Sequence, residues 1–252
     1  MKEKIPNSQY NVARPDSLPV KLATYQRRRM YRLFLEGAGV AAEDAILDVG
    51  VTSDQTYASS NYLEAWYPHK GRITACGLDD AAFLEDVYPG VTFVKGDGLD
   101  LPFGNDSFDV VHSSAVLEHV GNFDNQTRLI RECARVARKS ICLTTPNRWF
   151  PIEFHTVLPL VHWLPKSAFR GLMRRTGRSF FAEEANLNLM TRRELGAASN
   201  EALRGTRFAP RIATVSLGFW PSNLVLIAVR AGSSGRSANQ HAGAAANPSL
   251  TL

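Results

Sequence analysis

The chain has 252 residues, 44% of them apolar, which suits one α/β domain with additions or two small domains and supports a full core. Its first residues carry no apolar signal segment, and its most apolar stretch, TVLPLVHWLP (156–165), is about half a membrane span and broken by prolines. Neither secretion nor a transmembrane helix is therefore expected, and a cytoplasmic protein is. The net charge of +5 is modest but uneven: Gln26–Arg29 and Lys166–Arg178 contain no acid, a pattern that suits nucleic acid, anionic lipid, an anionic small substrate or simply a solvated helix face.

Residues 1–40 are polar and proline-spotted, then helical in pattern through YQRRRMYRLFLEGAG, which Gly37 and Gly39 stop. They read as an N-terminal helical extension on the substrate side. The main domain spans 41–230. Short apolar runs alternate there with helical stretches: AILDVG (45–50), RITACGL (72–78), VTFVKG (91–96), FDVVHS (108–113) and SICLTT (140–145). Between them lie TYASSNYLEAW, AAFLEDVY and TRLIRECARVARK. In the last, Leu129, Ile130, Cys133, Val136 and Ala137 share one helical face. Strands alternating with helices predict a doubly wound, mostly parallel sheet with helices on both sides.

Residues 147–190 break that rhythm with prolines, aromatics and basic residues, as an insertion does. Thr191 then caps a helix through TRRELGAASNEAL, with Glu194 completing a capping box. APRIATVSLGF and PSNLVLIAVR predict an antiparallel hairpin turning around Trp220-Pro221. The small, polar tail 231–252 reads as disordered. Cys76, Cys133 and Cys142 form no CxxC pair, and their odd number fits buried reduced thiols better than a disulfide framework.

Ligands of doubly wound sheets bind beyond the carboxyl ends of the strands, near the switch point. Each candidate strand ends there in polar residues: Asp48-Val49-Gly50, Asp79-Asp80, Gly96-Asp97-Gly98 and His112-Ser113-Ser114. One polar strand end means little, since loops are polar anyway. Four in register carry more weight. An acid after the second strand can accept both ribose hydroxyls, and an Asp-Gly after the third can accept an adenine amino hydrogen.

The run VKGDGLDLPFGNDSFDVVHSSAVLEHVGN (94–122) resembles the class I S-adenosylmethionine-dependent methyltransferases, and within them the small-molecule group that includes ubiquinone and menaquinone methyltransferases. The likeness extends through ILDVG, CGLDD and TTPN, covering about residues 45–147. It implies a seven-stranded Rossmann-like sheet ending in the hairpin, and S-adenosyl-L-methionine as cofactor. By position, Asp48 and Gly50 would lie beneath its methionine part and Asp79 would hold the ribose hydroxyls. Asp97 would take the adenine amino group, Gly98 or Leu99 the ring edge, and Ser113 and Ser114 the methyl end. The family usually carries D-x-G-x-G-x-G where this chain reads DVGVTSD; here Thr52, Ser53 and Asp54 stand in for glycines, or Ser53 or Asp54 caps a helix beginning near Gln55.

Methyl transfer is an in-line displacement that depends on alignment and exclusion of water, helped by a base where the acceptor is a hydroxyl. His119, His155 and Glu153 are the candidate catalytic residues, with His112 a further candidate base. No HExxH or repeated-ligand spacing predicts a metal site. A nucleobase amino-methyltransferase would carry an Asn/Asp-Pro-Pro-aromatic tetrad where HSSA (112–115) stands, so nucleic acid is not the expected partner. The expected acceptor is a small or lipid-linked molecule, with an anionic one compatible. Residues 147–181 and the helix around Tyr25–Leu35 would form its pocket, with peripheral membrane contact compatible and the oligomeric state open. Two other readings stand beside this one: a non-catalytic protein that keeps the fold, and an NAD(P)-dependent oxidoreductase, which would need a GxGxxG loop and a Tyr-x-x-x-Lys pair absent here.

Overall fold

A computed structural model of the chain describes residues 17–55, 57, 59–153 and 155–232. Phe154, the residues before 17 and the tail beyond 232, for which disorder was expected, lie outside the described residues. Every apolar run becomes a strand: β1 (Ile46–Val49), β2 (Ile73–Gly77), β3 (Thr92–Lys95), β4 (Phe108–Ser114), β5 (Ala137–Pro146), β6 (Phe208–Leu217) and β7 (Trp220–Arg230). They form a 7-stranded sheet in the order β3-β2-β1-β4-β5-β7-β6. The first five strands pair in parallel; β7 runs antiparallel to both β5 and β6. This is the doubly wound Rossmann-like sheet with a terminal hairpin, and its order reverses at β1, between β2 and β4.

Helices cover both faces, as strands buried on both sides require. On one face, α1 (Leu18–Gly37), α2 (Tyr62–Trp66) and α3 (Phe83–Val87) contribute Phe34, Tyr62, Leu63 and Leu84 to a core with Ile46, Val110 and Ile227. On the other, α4 (Phe123–Val136) and α6 (Arg192–Ala202) bring Leu129, Ile130, Cys133, Leu195 and Ala198 against Leu47, Val111 and Leu226. A third, smaller cluster, built on Phe169 and Met173 of α5 (Lys166–Arg175) with Phe181 and Leu187, lies within the 147–190 segment. All three cysteines are buried and free.

Caps fix the helix starts near the site. Asn122 accepts from the Asn125 amide at 2.9 Å, so α4 begins four residues before the expected TRLIRECARVARK stretch. Thr191 and Glu194 form the full capping box of α6. With no glycine turn after it, α4 runs straight into β5: Val136 ends the helix and Ala137 begins the strand.

Two local expectations need correction. No helix begins near Gln55 among the described residues; α2 starts at Tyr62, and neither Ser53 nor Asp54 caps it. Instead Asn61 clasps Thr52, accepting from its amide at 3.0 Å and donating to its carbonyl at 2.9 Å, which closes the loop on itself. The hairpin turns at Gly218-Phe219, between paired Leu217 and Trp220, rather than around Trp220-Pro221. Gly218 supplies the positive φ of 60° that a two-residue turn favours, and Pro221 is accommodated inside the strand beside a register shift at Val215/Ser216.

Candidate active site

The carboxyl ends of the parallel strands gather most of the residues singled out in the sequence. Gly50 sits at φ 92°, and a Cβ there would run into the Val116 side chain, so the position needs glycine. Its N–H donates to the Cys76 carbonyl at 2.7 Å and Val51 N–H to the same oxygen at 3.2 Å, so both amides are spent within the sheet. Asp79 follows the exposed Leu78 at the end of β2. The exposed Asp97 follows β3, its carboxylate accepting from Leu99 N–H at 2.9 Å. A Cβ on Gly98 would approach Leu129 Cδ1 to 2.9 Å and Val49 Cγ1 to 3.2 Å, which holds this turn tight against the sheet. Ser113 donates inward to the Val49 carbonyl at 2.9 Å, and Ser114 shares a 3.0 Å hydrogen bond with Thr144.

Asp48 faces into the protein. It pairs in register with His112 across β1 and β4, and its carboxyl meets His112 Nδ1 at 2.7 Å; His112 Nε2 meets the Tyr62 hydroxyl at 2.9 Å. Glu64 is fully buried beside them. Burial, then the proximity of Asp48, holds the Glu64 carboxyl well above the ordinary range, and burial raises Asp48 too. Burial pushes His112 down to about 4. A neutral acid and a neutral imidazole result. His112 is therefore a structural residue of the sheet, tied down at both nitrogens, rather than a base.

The three candidate catalytic residues converge with a fourth that sequence reasoning passed over, Glu118. Glu153 accepts from His155 Nδ1 at 2.7 Å, from His155 N–H at 2.9 Å and from Thr156 N–H at 2.6 Å. The His155 and His119 rings meet edge to face, 4.8 Å between centroids. His119 Nδ1 donates to the Asn186 carbonyl at 2.7 Å. Glu118, just before it, is fully buried and accepts from the Thr145 hydroxyl at 2.9 Å, while its other oxygen finds no hydrogen-bond partner among the described residues. Burial alone would raise Glu153, but His155 and the amides prevail and hold it down to about 2. Burial works against protonation of His155, yet Glu153 outweighs it and the imidazole is raised above its ordinary value. Burial pushes Glu118 up to about 7 and His119 down to about 3.

Glu118, His119 and His155 also present ligand-type atoms within 4.8 Å of one another. Ligands of a single tetrahedral ion with bonds of about 2.1 Å stand about 3.4 Å apart, so this trio is more open than a closed ion site. Local spacing could not reveal the grouping, because it joins the β4 loop to a segment beyond β5.

Two further features border the cluster. Arg27, from the basic run of α1, donates to Ser59 Oγ at 2.9 Å and lies close enough to disfavour protonation of His155. In the 147–190 segment, Lys166, Arg170 and Arg174 pair with Glu194, Glu184 and Glu183 at 3.3, 3.0 and 3.4 Å, so much of the expected anion-binding charge is already balanced. Arg175 and Arg178 have no ion pair among the described residues.

Residues 47–141 match the family model of a methyltransferase domain. A probable S-adenosylmethionine-dependent methyltransferase of Mycobacterium tuberculosis is 39% identical over 81 residues, 31% of this chain; the match spans only 28% of that relative's length. The fold is shared with 1,6-didemethyltoxoflavin-N1-methyltransferase of Burkholderia thailandensis, solved with its substrate and S-adenosylhomocysteine (TM-score 0.56, 16% identity, 88% of this chain and 84% of that one). It is also shared with magnesium protoporphyrin IX methyltransferase of Synechocystis with bound S-adenosylhomocysteine (TM-score 0.51, 15% identity, 82% and 84%). The matched core and the strand order agree: residues 47–141 carry the core of a class I S-adenosylmethionine-dependent methyltransferase domain.

Proposed function

We propose that the protein transfers a methyl group from S-adenosylmethionine to a small or lipid-linked acceptor, without a metal ion. The observation that carries this reading is the placement of two kinds of chemistry on one sheet edge. Acids Asp79 and Asp97 end neighbouring strands β2 and β3 beside the apolar Leu78 and Leu99, a setting suited to hydroxyl and amino hydrogens around an aromatic base. The Glu118–His119–His155–Glu153 cluster stands at the ends of β4 and β5.

When bound, S-adenosylmethionine supplies an electrophilic methyl group. The protein's part is to align the acceptor, exclude water and take the acceptor's proton. Glu153, ionised, fixes Nδ1 of His155 as the protonated nitrogen, so Nε2 is the ring atom that would take up that proton, and Glu153 then stabilises the resulting imidazolium. His119, held neutral, sets the ring plane of His155. Arg27, with no carboxylate partner among the described residues, is placed to receive an anionic group of cofactor or acceptor. The pocket is assigned to residues 147–181 and α1.

The test is calorimetry with S-adenosylhomocysteine. Wild type should bind, and Asp79→Ala and Asp97→Ala should each weaken binding by about 1–3 kcal/mol through lost polar partners. No binding by wild type would refute the proposal. A non-catalytic role is the second reading, favoured by the amides of Gly50 and Val51 being spent on Cys76. Binding of S-adenosylhomocysteine with no methyl transfer across a panel of hydroxyl, amine and quinol acceptors would select it.

A further inference from the structure

An apolar ridge stands on the same edge of the sheet as the candidate site, and its exposed tip, Phe219, lies outside the segments assigned to the acceptor pocket. Phe219, at the tip of the β6–β7 turn, is 91% exposed, where turns ordinarily carry polar residues. From it a chain of aromatic contacts runs Phe219–Trp220–Trp163–Trp149, with centroid separations of 6.0, 6.2 and 6.0 Å. Trp220 Nε1 donates to the Trp149 carbonyl at 2.9 Å, tying the hairpin to the segment after β5. Leu160 and Leu164 extend the ridge, both exposed. Leu160 has a φ of 61°, and the neighbouring exposed Val157 a φ of 56°, left-handed conformations that cost a branched side chain free energy. The backbone is thus strained in the part that holds apolar side chains toward solvent.

The position follows from register. Pro146, at the carboxyl end of β5, pairs with Asn223 near the start of β7, so the Gly218-Phe219 turn projects from the edge where the strand-end residues lie.

The charge around the ridge has one sign. Arg148 lies over Trp149, 5.5 Å from the ring centroid, and Arg29 of α1 donates to the Ser216 carbonyl while stacking on the exposed Tyr25 at 5.9 Å. The only acid among residues 147–164 is Glu153, which is buried, and residues 209–223 contain none. A second copy docked symmetrically would set these cations against themselves. An anionic bilayer surface complements them: Trp and Tyr rings settle at the headgroup boundary, Phe and Leu reach below it, and arginines meet phosphates.

We propose that this ridge docks the protein peripherally onto anionic lipid membranes, with the candidate site's mouth facing the bilayer. The full chain should sediment with phosphatidylcholine vesicles containing about one-third phosphatidylglycerol at least fivefold better than with pure phosphatidylcholine. Phe219→Ser changes one exposed side chain outside the segment assigned to the acceptor pocket; it should lower vesicle binding at least about threefold and leave S-adenosylhomocysteine affinity within about twofold. An unchanged thermal midpoint excludes misfolding of the variant. Three results would overturn the docking: no vesicle binding by wild type at low salt, equal binding by the variant, or a wild-type dimer that the variant dissolves while vesicle binding stays absent. Failure of S-adenosylhomocysteine to bind at all would count against the methyl-transfer proposal and leave the vesicle result standing.

Discussion

His112 and His155 make the same contact: each presents Nδ1 to a carboxyl oxygen at 2.7 Å in the protein interior. They nevertheless end with opposite ionisation, His112 pushed down to about 4 and His155 raised. The difference lies in what else the acid touches. Glu153 also accepts two backbone amides, from His155 and Thr156, and these stabilise a full negative charge. Asp48 accepts no backbone amide among the described residues and shares its site with Glu64, so the region keeps its protons. At Glu153 the histidine and the amides act together against burial, whereas at Asp48 the second buried acid works against ionisation.

The sharpest way to break that comparison is to neutralise each acid without changing its shape. Glu153→Gln removes a real charge; at pH 7 it should cost on the order of 2–3 kcal/mol of stability in urea unfolding, because the group's pKa lies well below its unfolded value. Asp48→Asn replaces a group raised to about 7, so that about half of it is already protonated at that pH, and should cost less than about 1 kcal/mol. Equal losses in both variants would refute the contrast.

In turnover, His155→Ala should slow transfer to the acceptor at least about tenfold, about 1.4 kcal/mol in the barrier, while cofactor affinity stays within about threefold. Because His155 is raised, the wild-type rate should climb with pH through a pKa above the ordinary histidine value. Glu153→Gln should move that limb to lower pH, and a limb that stays put would remove His155 as the base.

A pH-dependent effect, read only across a span of pH, belongs to Glu118. Its folded-state pKa of about 7 exceeds its unfolded value, so the folded protein binds the extra proton. Stability from this group is present below the unfolded carboxylate pKa and is lost as pH rises to about 7. The thermal midpoint should therefore fall between pH 5 and 8, and Glu118→Gln should flatten the fall, by up to about 3 kcal/mol in unfolding free energy. The smallest expected effect is none: dialysis against a strong chelator should leave the methyl-transfer rate unchanged. A rate restored only by added divalent ion would place a metal on Glu118, His119 and His155.

The sheet was legible because its inner strands are buried on both faces and so read as unbroken apolar runs, from AILDVG to PSNLVLIAVR, while the edge strands β3 and β6 are more exposed. The strand-end acids were legible for a related reason, since they interrupt those runs at one end. Glu118 was hidden inside the VLEH motif, where only His119 drew notice; its burial depends on Thr145, 27 residues on. The Asp48–His112 pair needed the β1–β4 register, and Tyr62 needed α2 to begin later than the loop suggested. Within 147–190, composition marked the arginines but not their partners, because Glu183 and Glu184 follow the basic run in sequence and fold back on it.

The strand order β5-β7-β6 has a consequence for synthesis on the ribosome. β7 emerges after both of its neighbours, yet it is the buried strand that joins them. Until about residue 230 is free, β5 presents an open edge of hydrogen-bonding groups and β6 has no partner in the sheet. The nascent domain must carry the open β5 edge from about residue 146 until β7 is complete at Arg230, joined near the end by unpaired β6, a state in which chaperone engagement protects it from pairing with another chain.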